Sequence, residues 1–342
     1  MKSQRYLIAR IDRIGDVVLS TPLPREIKKK YPDSFVCVLV RNYTKDIYLN
    51  NPNVDLILTY DNIDGSKKSF WQLLKEIKKL KFSYGFMLLS NERLSYLFLI
   101  AGIPVRIGVG HKLYQMLTFT KYVNRKKYNP LRHEADYGLD MLRKIGYDIK
   151  NIKPEIFLSD DERAEVKKIK EKYHSSKKKI IGINVTSGNS APNLSKAEYK
   201  KLILLLLEDS YFQIAVMDKV VPGLVDNIVG VIYPNRNNNL RSSIVNFASL
   251  DILVSSSTGP MHLAAALKVP TLSLFCPLTA CSPKLWGPLG NDSEIILPSK
   301  QYCETQCPID PKKCDYSKEG GLTAQYLAES IKNFLKFSNT DQ

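Results

Sequence analysis

A polar turn late in the chain has the composition of an anion-binding site. Residues 253–275 read LVSSSTGPMHLAAALKVPTLSLF: an apolar strand ends in serines, and Thr258 and Gly259 open a helix with His262 one turn in. A helix N-terminus presents unpaired backbone N–H groups and the positive end of the helix dipole, and glycine lets a ligand approach the backbone. The pattern therefore predicts an anion site, although an ordinary helix capped by Ser or Thr, with nothing bound, would have the same spacing.

A second polar turn of this kind follows the predicted strand Lys179–Asn184. It contains Thr186, Ser187, Gly188 and Asn189. Two such turns lie close together if their strands are neighbours, which is usual where a doubly wound sheet reverses its strand order. We therefore expect the two turns to form a cradle for a diphosphate. The chain has no G-x-G-x-x-G after a strand and no G-x-x-x-x-G-K-[ST], which disfavours a nicotinamide dehydrogenase and a P-loop NTPase.

The third candidate is the stretch RIDRIGDVVLSTP at residues 10–22. It places Asp12, Arg13 and Asp16 at the mouth of the first predicted strand–helix turn. Loops at the ends of strands are where α/β proteins keep their binding and catalytic residues. An acid in the first turn of a helix is also favoured by the helix dipole, so a purely structural role for Asp16 stays open.

Short apolar strands alternate with amphipathic helices along both halves of the chain. Continuous apolar runs such as FVCVLV at 35–40 are typical of strands buried on both faces of a parallel sheet. We expect helices that include residues 17–30 and 133–145. Strand–helix alternation at this spacing predicts parallel sheets. Strands are predicted at Tyr6–Ile11, Phe35–Val40, Val54–Tyr60, Tyr84–Leu89, from Arg106, and at Lys179–Asn184, Phe212–Met217, Val229–Ile232, Ile252–Ser255 and Thr271–Phe275.

The alternation is interrupted near the middle of the chain. Residues 148–179, with Pro154 and a lysine-rich stretch, have the composition of a join between domains. We therefore expect an α/β protein of two Rossmann-like, doubly wound domains that face each other across a cleft. The expected domains are residues 1–155 and 156–325, followed by a C-terminal helix and tail at 326–342.

The charge of the chain is unevenly distributed. Residues 1–150 hold 27 Lys and Arg against 14 Asp and Glu, a net charge of +13, whereas residues 151–342 carry +3. A lysine-rich genome would account for part of this, but the asymmetry indicates an anionic partner. Nucleic acid is disfavoured because neither paired zinc-finger ligands nor an RNP-like aromatic motif is present. An acidic substrate or an anionic membrane face is favoured instead.

The sequence also predicts where the protein works. No apolar run approaches the 18 residues typical of a membrane-spanning helix, and the N-terminus has no apolar region of signal-peptide type. We therefore expect a cytoplasmic protein. Cys281, Cys303, Cys307 and Cys314 have a spacing that would allow a metal site, but a reduced surface loop is the ordinary interpretation in this compartment.

Four segments resemble glycosyltransferase family 9, the ADP-heptose:lipopolysaccharide heptosyltransferases, in the same order. They are RIGDVVLSTP (13–22), NPNVDLILTYD (51–61), RIGVG with RHEADYGLDMLRKIGYD (106–148) and SSSTGPMHLAAALKVPTLSLFCP (255–277), and the resemblance runs from about Tyr6 to Leu335. The family implies a GT-B fold, with the acceptor on the N-terminal domain and the nucleotide-sugar donor on the C-terminal one. It also implies an inverting, metal-independent transfer, and the chain has no D-x-D motif.

The resemblance assigns roles to individual residues. Asp16 matches the family's proposed general base, which takes the proton of the acceptor hydroxyl as that hydroxyl attacks the anomeric carbon. Backbone N–H groups at Ser187–Gly188 and Thr258–Gly259 would stabilise the charge on the leaving diphosphate. The other expected donor-site residues are Asn189, Asp218, Ser257, Pro260 and His262. The expected acceptor-site residues are Arg13, Arg41 and His133, although His133 could simply cap a helix. We expect no metal ion and no cofactor.

Two departures from the family pattern leave other functions open. Ser257 stands where many members have an acid, and the segment Pro192–Ser195 lacks the basic residue and the tryptophan found there in many members. Lys196 could supply the missing cation. The preferred function is transfer of heptose or a related sugar to a lipopolysaccharide-type acceptor at the inner face of the cytoplasmic membrane, with peripheral contact to anionic lipid. The alternatives are a different donor or surface glycan, or a binding protein with a decayed site.

Overall fold

The chain divides into two compact units. The computed structural model describes residues 4–125, 128–176, 178–188 and 190–337. One unit is Met1–Phe157 and the other is Leu158–Gln342, called the N-terminal and the C-terminal unit below. Each contains one six-stranded sheet whose described strand pairs are all parallel.

The sheet of the N-terminal unit has the strand order β3-β2-β1-β4-β5-β6. Its central strands are runs of apolar residues without alternation, because helices cover both faces of such a sheet. In β2, for instance, five of six residues are buried. The strands are β1 (Arg5–Arg10), β2 (Phe35–Val40), β3 (Leu56–Thr59), β4 (Tyr84–Met87), β5 (Val105–Val109) and β6 (Lys121–Val123). The helices are α1 (Ile14–Val18), α2 (Pro22–Lys30), α3 (Phe70–Lys79), α4 (Glu92–Ile100), α5 (Leu113–Leu117) and α6 (Glu134–Arg143).

The helix expected at 17–30 is two helices. Pro22 has no N–H to donate to the carbonyl of Val18, so the helix cannot continue through it, and proline is instead suited to a first helical turn. Thr21 occupies the freed carbonyl: both its backbone N–H and its hydroxyl donate to Val18 O. The break leaves α1 as a five-residue helix directly after β1.

The C-terminal unit repeats the topology. Its sheet has the order β12-β11-β10-β7-β8-β9. The strands are β7 (Lys179–Asn184), β8 (Phe212–Val216), β9 (Val231–Ile232), β10 (Ile252–Ser256), β11 (Thr271–Leu274) and β12 (Ser293–Ile296). The helices are α7 (Asp160–His174), α8 (Lys196–Leu207), α9 (Leu240–Ala248), α10 (Gly259–Ala266), α11 (Pro283–Trp286), α12 (Lys300–Thr305) and α13 (Ala324–Phe337).

The segment expected to be a join belongs largely to the C-terminal unit. The division falls between Phe157 and Leu158, and α7 packs against α9 through an ion pair of Glu162 with Arg241 at 2.5 Å. The last helix, α13, packs against α8, and its residues Leu327 and Ile331 are part of the same buried core. No helix within the described ranges combines the length and the apolar composition needed to cross a bilayer.

Both sheets confirm the doubly wound arrangement predicted from the sequence. In each, the first strand of the unit pairs on one side with its second strand and on the other with its fourth. The strand order therefore reverses between β1 and β4, and again between β7 and β10. Crevices at the carboxyl ends of such strand pairs are where open α/β sheets bind ligands. All three polar turns singled out in the sequence follow β1, β7 or β10.

The packing around β4 implies opposite effects on stability for alanine substitutions at two glycines. A Cβ on Gly85 would lie 2.6 and 2.8 Å from two ring atoms of the buried Phe98, whereas a Cβ on Gly138 in α6 would make ordinary contacts with Leu88 and Leu23 at 3.7 and 3.9 Å. We expect Gly85→Ala to lower the free energy of unfolding by about 1–3 kcal/mol. We expect Gly138→Ala to raise it by about 0.5–1 kcal/mol, because alanine is the better helix former. Urea unfolding of the full chain measures both, and equal effects would contradict the packing described.

Candidate functional site

A buried arginine gathers three carboxylates at the end of β1. Arg10 is 4% exposed. Its Nη1 donates to Leu88 O at 2.9 Å, and its Nη2 donates to Asp16 Oδ1 at 2.5 Å. Nη2 also lies 3.6 Å from Glu134 Oε1. Nε lies 2.9 Å from Asp12 Oδ1, but neither atom makes a hydrogen bond to a described residue. We call Arg10, Asp12, Asp16 and Glu134 the Arg10 cluster.

The members of the Arg10 cluster differ in their access to solvent. The Glu134 side chain is 4% exposed, and its other oxygen accepts from Arg125 at 2.8 Å. A buried arginine needs such a partner, since an unpaired charge would be costly away from water. Asp12 and Asp16 are 26% and 20% exposed. Glu134 is therefore the structural counterion, and the two aspartates are the carboxylates that a ligand can reach.

Asp16 has one oxygen held and the other available. It lies in the first turn of α1, and its Oδ1 accepts a hydrogen bond from Arg10. Its Oδ2 has no hydrogen bond or ion pair to any residue that the structure describes. A carboxylate fixed at one oxygen and open at the other has the geometry to accept a proton from a hydroxyl group.

The environment of Asp12 changes its proton affinity. Burial raises the pKa of Asp12 to about 6, with Arg10 acting in the opposite direction and Asp16 adding to the rise. One of the two reachable carboxylates of the cluster therefore changes charge near pH 6.

The expected acceptor residues have different surroundings. Arg13 is exposed and has no ion pair within the described ranges. Arg41 is paired, since its Nε lies 3.0 Å from the buried Asp61. His133 precedes α6 and its Nδ1 accepts from the backbone N–H of Ala135 at 3.1 Å, so it caps this helix. Among the described residues, Arg13 thus has no ion-pair partner, whereas Arg41 and His133 have structural ones.

Asp218 organises the turn after β7. It follows β8, the neighbour of β7, and is 3% exposed. Its carboxylate accepts from the backbone N–H of Val185 at 2.7 Å, from that of Thr186 at 2.9 Å and from the Thr186 hydroxyl at 2.6 Å. Burial raises the pKa of Asp218, and the hydrogen bonds from Thr186 and Val185 act in the opposite direction. Asp218 therefore fixes the turn, and both of its oxygens are already engaged.

Asn193 connects the two polar turns of the C-terminal unit. Strands β7 and β10 pair directly, as the diphosphate cradle requires. The Asn193 amide donates to Val185 O at 2.7 Å, and its Oδ1 accepts from the hydroxyls of Ser256 and Tyr199 at 2.6 and 2.7 Å. Asn193 is not among the residues predicted from the sequence. The only indication in the sequence is that it is a polar residue in Pro192–Ser195, the segment that departs from the family pattern.

The helix that begins at Gly259 has no side-chain cap from any residue that the structure describes. Thr258 precedes it, but its hydroxyl donates to Ser256 O at 3.3 Å and lies 3.1 Å from the hydroxyl of Ser255. Pro260 contributes no N–H. By contrast, Ser195 caps α8 and Asn239 caps α9 with their side chains. The backbone N–H groups of the first turn of α10 therefore have no side-chain acceptor among the described residues and could bind an external one.

The remaining donor-site candidates lie around these turns. Gly188 has φ +55°, and a Cβ there would meet no atom within 4 Å. Ser187 and Ser257 are half-buried. His262 is buried on α10. Asn189 lies outside the described residues.

The turn before α10 lies in a region that resembles known proteins. The model of "Glycosyltransferase family 9 (heptosyltransferase)" matches residues 237–313, which contain α10 and its turn. A Haemophilus influenzae protein provisionally named a glycosyltransferase is 27% identical, with 98% of this chain and 99% of that protein aligned. Both findings make the chain similar to glycosyltransferase family 9.

Solved structures of family 9 proteins have the same fold as this chain. A family 9 protein from Veillonella parvula has a TM-score of 0.77 at 21% identity, covering 97% of both chains. The ADP-heptose LPS heptosyltransferase II of E. coli has a TM-score of 0.72 at 17% identity, covering 98% of this chain and 99% of that one. The fold predicted from the sequence, GT-B with two Rossmann-like units, is confirmed.

The basic residue missing from the family 9 pattern has no direct replacement in the turn after β7. Pro192 and Leu194 are buried there, and Lys196 is an exposed residue at the start of α8.

The cysteines are all free thiols. Across the residues that the structure describes, no three His, Cys, Asp or Glu side chains are grouped as a metal site.

The raised pKa of Asp12 predicts a pH-dependent stability. Because its pKa in the folded protein is about 6 and its ordinary value is 3.8, Asp12 favours the folded state most at low pH. This contribution is lost as pH rises through about 6. We expect the free energy of unfolding of the wild type, relative to that of Asp12→Asn, to fall between about pH 4 and pH 7. Urea unfolding at several pH values measures the difference, and a constant difference would contradict a raised pKa.

Proposed function

We propose that this glycosyltransferase moves heptose from ADP-heptose to a lipopolysaccharide core-type acceptor, with inversion at the anomeric carbon. The observation that carries the proposal is the Asp16 carboxylate, held at Oδ1 by the buried Arg10 and open at Oδ2. Direct displacement by an acceptor hydroxyl needs one group of this kind, because the hydroxyl must lose its proton as the new bond forms.

The N-terminal unit supplies the base in this mechanism. Asp16 Oδ2 accepts the proton of the acceptor hydroxyl, whose oxygen attacks the anomeric carbon as the bond to the diphosphate breaks. Arg10 is a positioning residue, because it fixes the carboxylate through Oδ1. Arg13, exposed and without an ion pair in the described part of the chain, is suited to hold a phosphate or acidic sugar of the acceptor.

The C-terminal unit binds the leaving group. Charge builds up on the diphosphate as the sugar departs, and backbone N–H groups at the first turn of α10 and at Ser187–Gly188 would stabilise it. The absence of a side-chain cap on α10 supports this role. Asp218 and Asn193 hold the two turns in position. A metal-independent transfer rests on the family resemblance and on this use of fixed N–H dipoles.

The identity of donor and acceptor is supported by likeness and by charge. The E. coli protein with the same fold is named for ADP-heptose and lipopolysaccharide. The excess of basic residues in the first 150 positions, +13 in net charge, fits an acceptor that carries phosphates and acidic sugars.

The base assignment predicts a selective loss of turnover. We expect Asp16→Asn to lower kcat by on the order of 10²-fold or more, because an amide cannot take the proton, while ADP binds with unchanged affinity. The control is Asp148→Asn, which removes an exposed acid of the same unit and should leave kcat unchanged. Rates come from ADP release with ADP-heptose and a core acceptor, and affinities from calorimetry. Full turnover by Asp16→Asn would contradict the assignment.

The donor assignment predicts a nucleotide preference. Saturating ADP or ADP-heptose should raise the melting temperature, since a ligand at about 100 times its Kd stabilises the folded state by about 2.7 kcal/mol. UDP, GDP and CMP should have little effect. Asp218→Asn should abolish the shift, because its amide NH₂ would face the backbone N–H either of Val185 or of Thr186, two donors with no acceptor between them. A larger shift with another nucleotide would mean that the donor carries that nucleotide. No shift with any nucleotide would favour a binding protein whose transferase site has decayed.

A further inference from the structure

Four large apolar side chains around α5 face solvent. Leu113, Met116, Leu117 and Phe119 are 72%, 60%, 57% and 77% exposed. They come from seven consecutive residues, and we call them the α5 patch. Single exposed apolar residues are ordinary, but a contiguous group of this size marks an interaction surface.

The inner face of this segment is polar and firmly attached. Gln115 and Thr118, on the opposite side of α5, are 3% and 0% exposed. Gln115 Nε2 donates to Val109 O at 3.0 Å, and Arg106 Nε donates to Thr118 O at 2.9 Å. A surface helix normally buries its apolar face and exposes its polar one. Here the arrangement is inverted and tied to β5 by side-chain hydrogen bonds, so the α5 patch is held outward by the fold.

Phe119 also has an unfavourable backbone conformation, in addition to its exposed ring. Its φ is +49°, in the left-handed region. Phe119 N–H donates to Met116 O and Thr120 N–H donates to Gln115 O, the hydrogen-bond pattern of a helix end where glycine is the usual residue. An exposed phenylalanine in this conformation is unfavourable in the isolated protein on two counts. A ligand that buries the ring would account for its presence.

The surroundings of the α5 patch are basic. Residues 93–133 contain eight Lys and Arg and no Asp or Glu. Lys112 and Lys121 flank the patch, are exposed, and have no ion pair within the described residues. Lys121 also borders a shallow groove of about 800 Å³, whose other charged lining residues are Lys144 and the ion pair of Arg143 with Asp140. The α5 patch thus has exposed lysines on both sides that have no ion pair among the described residues. This combination suits a partner surface with anionic groups on the outside and an apolar layer beneath them.

We propose that the α5 patch inserts into the surface of an anionic lipid bilayer, with Lys112 and Lys121 at the level of the headgroups. Apolar insertion and attraction of nearby lysines act together at such surfaces. A second copy of the chain is the poorer occupant, because a symmetric contact would place two basic patches against each other. The binding does not depend on turnover; its use in catalysis rests on the proposed function, whose acceptor is carried by a lipid.

The test separates membrane binding from folding with a matched pair of variants. Phe119→Gly removes the ring and relieves the positive φ. Ile309→Gly makes the same kind of change at an exposed residue with φ +65° in the C-terminal unit. Neither should lower the melting temperature. In co-sedimentation with vesicles containing phosphatidylglycerol, we expect Phe119→Gly to bind about ten-fold or more weakly than wild type, and Ile309→Gly to bind like wild type.

Charge variants and a second method complete the test. Lys112→Gln and Lys121→Gln should each weaken binding roughly five-fold at low salt, and pure phosphatidylcholine vesicles should bind the wild type far less than anionic ones. Absence of binding to anionic vesicles, or equal losses for the two glycine variants, would overturn the proposal. So would a monomer–dimer equilibrium, in sedimentation velocity, that Phe119→Gly abolishes. Because no donor or acceptor is added, failure here leaves the glycosyltransferase assignment untouched.

Discussion

The N-terminal site depends on burying one arginine at the end of the first strand. A guanidinium so nearly removed from water needs charged and polar partners. Arg10 has the carbonyl of Leu88, directly after β4, Glu134 from α6 and two acids of its own turn within ion-pair or hydrogen-bond distance. Glu134 satisfies the burial requirement because it is itself buried and has Arg125 as a further partner. Asp12 and Asp16 are thereby held at the surface in fixed positions. The constraint of burial thus produces the orientation that acid–base chemistry requires.

The C-terminal unit fixes its own turns with a buried group of opposite sign. Asp218 gathers the N–H groups after β7, and Asn193 joins that turn to the end of β10. Both units place these groups where the strand order of the sheet reverses. A buried cation that collects carboxylates is suited to hold a base, whereas turns of ordered N–H groups and an uncapped helix are suited to hold an anion. The same topology can therefore provide two halves of a glycosyl transfer.

The sequence predicted the fold and the turns well, because both depend on local pattern. Apolar runs located the central strands, and the polar turns after β1, β7 and β10 contain the groups described here. Short edge strands such as β6 and β12 carry too few residues for a pattern. The break before Pro22 was missed because helical periodicity continues through it. The bonding of Asp218 was also missed, since only the folded sheet brings it to Val185.

The composition of the Arg10 cluster could not be derived from the sequence. Asp16 was found from its turn and from the family resemblance, but Arg10 reads as the last residue of a strand. Glu134 reads as an ordinary acid in the first turn of a helix. Their association needs β1, β4 and α6 in place. The same holds for α5, whose inverted faces follow from hydrogen bonds to β5 rather than from its own five residues.

The central claim is that Asp16, and not its neighbour Asp12, takes the proton of the acceptor. The most direct measurement is the single-turnover rate of transfer by Asp12→Asn and Asp16→Asn, compared under the same saturating donor and acceptor. If Asp16 is the base, its variant loses on the order of 10²-fold or more in rate, while the Asp12 variant keeps most of its rate. A loss confined to Asp12→Asn, with Asp16→Asn fully active, would contradict the assignment.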